Sequence, residues 1–61
     1  MTKAEGRELE IIRKYLIAGM PDTAARALSA LVRSTMSRKT SAQLMELAVE
    51  WNLLHRPEFI V

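Results

Sequence analysis

Cysteine is absent from this 61-residue chain. That absence excludes disulfide staples and every thiolate zinc site. Histidine occurs once, at His55, and a single imidazole cannot cage a metal unaided. The two glycines, Gly6 and Gly19, stand alone, so neither a G-x-G-x-x-G nor a G-x-x-x-x-G-K-[ST] string is present. Nucleotide binding through a phosphate loop is therefore not indicated. No apolar run approaches the roughly 20 residues of a membrane span, and the N-terminus lacks the apolar core of a signal peptide. A cytoplasmic location without membrane contact is the expectation, with no cofactor.

What is present is a high apolar content, 49%, with 26% charged residues. The charged share is close to the globular average, which argues against disorder. A chain this short buries only about 60% of the surface its unfolded form exposes. Small folds usually lean on disulfides, a metal or a second chain. With thiols excluded and a metal cage out of reach, self-association is the expected source of extra burial.

The net charge of +2 conceals a gradient. Up to Asp22, Lys3, Arg7, Arg13 and Lys14 balance Glu5, Glu8, Glu10 and Asp22. The middle carries Arg26, Arg33, Arg38 and Lys39 with no acid, and the end carries Glu46, Glu50 and Glu58 against Arg56. A basic middle and an acidic end can face each other in an oligomer, or the basic stretch can meet an acidic partner.

Three segments have helical periodicity. In the first, about residues 4–18, Leu9, Ile12, Leu16 and Met20 recur at three- and four-residue steps, with Ile11 and Tyr15 alongside. Gly6 should fray its start, and Gly19 and Pro21 should stop it. The second, about 22–36, opens on Pro21 and Asp22, which both favour a helix start. Ala24, Ala27, Leu28, Leu31, Val32 and Thr35 line one face, and Arg26, Ser29 and Arg33 fall on the opposite, solvated one. The third, about 41–54, is expected to start from a capping box, Thr40-x-x-Gln43. Its stripe is Leu44, Leu47, Ala48, Trp51 and Leu54, and Pro57 should end it.

The chain closes on Phe59-Ile60-Val61, three large apolar residues of strand character. They must pack over the helices or meet a second chain, and contact with a second chain is the reading favoured here. The expected interface is Leu44, Leu47, Trp51, Leu54, Phe59, Ile60 and Val61, with Trp51 as the type of anchor that interfaces favour.

Catalytic chemistry finds little footing. His55 with Glu58 is a conceivable acid–base pair, but a histidine near a helix C-terminus suits the helix dipole without any such role. Glu46 and Glu50 stand one helical turn apart, yet no Glu-x-x-His motif accompanies them, so a solvated acidic face is the simpler reading. No catalytic residue and no metal ligand is assigned.

Residues 19–38 are similar to a helix-turn-helix unit, with an Ala-centred helix and a following segment rich in Ser, Thr and Arg. The turn would fall on Leu28-Ser29-Ala30-Leu31, which lacks glycine, and the two halves are out of register by one residue. Residues 22–35 read as one unbroken helix keep their amphipathic spacing without a turn. A DNA-binding regulator using Arg26, Arg33, Arg38 and Lys39 is the alternative to an interaction module.

The stretches Ala18 to Leu28 (AGMPDTAARAL) and Trp51 to Phe59 (WNLLHRPEF) resemble the small early-region accessory proteins of lambdoid temperate phages. The resemblance implies a small, helical, dimeric protein made early in infection. Such proteins influence host physiology or the balance between lysis and lysogeny through contacts with host or phage macromolecules.

The expected fold is therefore all-α: a single three-helix domain with a short apolar C-terminal tail, dimeric, and non-enzymatic.

Overall fold

A computed structural model describes residues 1–61. It contains three α-helices and no strand: α1 (Lys3–Ile17), α2 (Pro21–Ser34) and α3 (Arg38–Glu50). Each connection between helices is three residues long. The remainder, from Trp51 onward, is a series of turns.

The start of α1 is better secured than the glycine at position 6 suggests. The Thr2 side chain accepts a hydrogen bond from the Glu5 amide at 3.1 Å, and the Glu5 carboxylate accepts one from the Thr2 amide at 2.8 Å. This reciprocal capping box satisfies two of the otherwise free amides of the first turn. It works against the fraying expected from Gly6. At the other end Gly19 takes a φ of +75°. The Met20 and Gly19 amides then bond back to the Tyr15 and Leu16 carbonyls, at 2.8 and 3.1 Å. That pattern is a Schellman closure.

α2 opens on Pro21 as expected, and it is the central element. It packs against both other helices, whereas α1 and α3 make no close backbone approach to each other. Its buried residues are Ala24, Ala25, Leu28, Ser29 and Leu31. The small side chains at 24 and 25 let neighbouring segments come close. α1 contributes Ile12, and α3 contributes Leu44 and Ala48; Leu53 and Phe59 complete the core. α2 ends at Ser34, two residues earlier than its spacing predicted, because Thr35 turns extended at ψ 140°.

Two boundaries of α3 differ from the sequence reading. The helix begins at Arg38, capped by Ser37, whose hydroxyl accepts from the Thr40 amide at 3.2 Å. Thr40 is thus not the cap but a buried residue inside the first turn. The earlier start puts Thr40, Leu44 and Ala48 on one line facing the core. The helix stops at Glu50 rather than Leu54, because Asn52 adopts a φ of +59°. The Leu53 amide reaches back to the Ala48 carbonyl at 2.8 Å and the Asn52 amide to Val49 at 3.1 Å. Asparagine tolerates the left-handed region better than most residues, which makes a second Schellman closure possible here. The reversal carries Leu53 into the core and leaves Leu54 outside.

The Cα radius of gyration is 10.4 Å, close to the roughly 10.5 Å expected of a folded chain of this length. Even so, only 11 of the 61 residues are buried.

Candidate interaction surfaces

The C-terminal segment is anchored, not free. The Phe59 amide bonds to the Arg56 carbonyl at 3.0 Å, and the Arg56 amide to Leu53 at 3.1 Å. These turns fold the segment back over the helices so that the Phe59 ring enters the core. The Ser29 hydroxyl lies 3.0 Å from the Arg26 carbonyl and 3.4 Å from the Glu58 carbonyl, so its proton is shared between α2 and the segment above it. Ser29 is buried as a result, which corrects its expected place on the solvated face of α2.

The seven residues expected at an interface therefore divide. Leu44 and Phe59 lie in the chain's own core, Leu44 fully buried and Phe59 nearly so. Leu47 and Trp51 are half-buried against that core. Leu54 is exposed, and Ile60 and Val61 present 61% and 63% of their surface to solvent. No strand forms at residues 59–61.

A surface that sequence reading missed lies at the other side of Trp51. Arg13, Leu16 and Ile17 of α1 face Glu50 and Trp51 across an open groove of about 430 Å³. Ile17 is the last residue of α1 and is 87% exposed. The Arg13 guanidinium carbon stands 5.9 Å from the centre of the Trp51 ring, within the range of a cation–π contact. Periodicity could not find this groove, since its two walls come from segments nearly forty positions apart.

Compared with known proteins, the chain matches no family model, no curated protein and no solved structure.

Arg26, Arg33, Arg38 and Lys39 are all exposed, and none is paired with a carboxylate. Arg26 and Arg33, seven apart, share a face of α2. The Arg33 Nε donates to the Ser29 carbonyl at 3.4 Å, so this side chain lies back along its own helix. Arg38 and Lys39 occupy the first turn of α3, which contains no acid. α2 runs unbroken through Leu28–Leu31, so the turn of the helix-turn-helix reading does not form there.

The candidate acid–base pair is not assembled. Glu58 faces Arg56 at 3.9 Å, and no hydrogen bond or ion pair joins it to His55. One carboxylate oxygen of Glu58 is buried with no hydrogen-bond partner. No group of three His, Asp or Glu side chains is placed to hold a metal ion, and no helix is long and apolar enough to cross a membrane.

Proposed function

We propose that this protein is a non-enzymatic interaction module that pairs with a second copy of itself. One observation carries the reading. Beyond its small core, the chain leaves Met1, Ile17, Met36, Val49, Ile60 and Val61 each more than half exposed. Single exposed apolar residues are ordinary on any surface. Six large ones on a domain with so little burial, and no disulfide to supplement it, are what a second chain would cover. Within residues 51–61 the side chains left with surface open to a partner include Trp51, Leu54, Ile60 and Val61.

The resemblance of residues 18–28 and 51–59 to lambdoid phage accessory proteins supports a role early in infection, acting in the host cytoplasm on host or phage proteins. The measurement that tests self-association is molar mass in solution across a concentration series. A concentration-dependent dimer is expected, and a monomer throughout would overturn the reading.

A second reading, DNA binding by Arg26, Arg33, Arg38 and Lys39, has one observation in its favour. Arg38 and Lys39 sit at the positive end of the α3 dipole, where each cation costs about 0.3–1 kcal/mol. A phosphate backbone would offset that cost. Salt-sensitive DNA retention lost in the Arg38→Ala, Lys39→Ala double variant would support it. Retention unchanged by those substitutions would remove it.

A further inference from the structure

We propose that the groove between α1 and Trp51 is the two-fold contact surface of the homodimer, closed by reciprocal Arg13–Glu50 ion pairs. The inference rests on the self-association reading and adds where the two copies meet.

The groove carries one cation and one carboxylate, on opposite walls: Arg13 on α1 and Glu50 at the end of α3. They form no ion pair with each other, the only ion pair in the chain being Arg56 with Glu58. Equal and opposite charges flanking an apolar floor make a self-complementary surface. A two-fold axis through such a groove carries each wall onto the opposite one. Arg13 of one copy then meets Glu50 of the other, and the same contact recurs by symmetry. A partner of a single charge sign would satisfy one wall and oppose the other, so charge favours a second copy.

The apolar parts fit the same occupant. Ile17 projects from the end of α1 almost wholly into solvent, beside an open groove also lined by Leu16 and Trp51. In the symmetric arrangement the Ile17 of each copy enters the groove of the other. Trp51 already has Arg13 over its ring, which holds the guanidinium at the groove and reduces the side-chain ordering needed on association. The contact also covers an aromatic of the type that dominates interface energetics.

The test is charge reversal and rescue in the full chain. Arg13→Glu and Glu50→Arg each place like charges together twice in a symmetric dimer. Each is expected to raise the dimer dissociation constant about tenfold or more. The double variant restores opposite signs and should return to within a few-fold of the original. Ile17→Ser, at an exposed site outside the core, should weaken the dimer while leaving helicity and monomer melting unchanged, which guards against a folding defect. Trp51 is the only tryptophan, so its emission should shift to the blue on association. A wild-type dimer insensitive to all three single variants would move the interface elsewhere and overturn the groove, while self-association stands. Weakening by the single reversals without rescue by the double would overturn the reciprocal pairing. A wild-type monomer at every concentration would overturn self-association itself.

Discussion

The buried hydroxyl of Ser29, in the middle of α2, lies 3.4 Å from the carbonyl oxygen of Glu58 and so ties the last segment of the chain to its central helix. Ser29→Ala removes that donor and leaves the carbonyl without it, a penalty of about 1–3 kcal/mol. Alanine recovers about 0.5 kcal/mol of helix propensity. A net loss of about 1 kcal/mol is expected in urea denaturation.

Phe59 and its two neighbours should respond very differently. Phe59→Ala empties a core position and should cost about 3–5 kcal/mol. That is comparable to the whole stability of a domain this size, about 3–9 kcal/mol at roughly 0.05–0.15 per residue. Ile60→Ser with Val61→Ser should change monomer stability by less than about 0.5 kcal/mol. The comparison by denaturant midpoint at low protein concentration separates a core role from an interface role. Equal losses for the two variants would contradict the division.

At Asn52 the backbone conformation decides the outcome. With φ at +59°, Asn52→Ala should cost about 1–2 kcal/mol through left-handed strain. Asn52→Gly should be neutral or slightly stabilising, since glycine adopts this region freely. Thermal unfolding of the two variants would show it, and an alanine variant as stable as the glycine variant would argue against the Schellman closure.

The start of α1 offers a stabilising change and a pH dependence. A Cβ at Gly6 would meet no atom within 4 Å, so Gly6→Ala should gain about 0.5–1 kcal/mol. The Glu5 carboxyl is held below its usual 4.5, first by the hydrogen bond from the Thr2 amide and then by the Thr35 hydroxyl. A depressed folded-state value means the charged form supports the fold. This contribution is present above the ordinary carboxylate range and is lost as pH falls through the lowered value. Thr2→Ala should reduce stability by about 1 kcal/mol. Stability measured from neutral pH down to acid should fall less steeply in Glu5→Gln than in the wild type.

Close approach at α2 predicts intolerance to bulk. Ala25 is fully buried beside Ala24, and Ala25→Leu should cost about 1–3 kcal/mol by overpacking. Ala30, exposed on the same helix, should accept the same substitution with little change.

The number of helices and the break between the first two are legible in the residues alone. Gly19 and Pro21 act through their own backbone chemistry, which no distant contact needs to support. The apolar spacing of Leu9, Ile12 and Leu16, and of Ala24, Leu28 and Leu31, likewise marks the inward faces directly. The arrangement of the last third depends on packing between distant segments. Two stop signals, Asn52 and Pro57, compete for the end of α3. The nearer one prevails because reversing at Asn52 buries Leu53 and lets Phe59 reach the core beside α2. Two start signals, Ser37 and Thr40, compete in the same way, and the earlier one places Thr40, Leu44 and Ala48 inward together. Capping chemistry is local and leaves both choices open, whereas burial across distant segments selects between them. That selection covers Ser29, frees Leu54 and brings Trp51 against Arg13, so the surfaces left for a partner are set by packing.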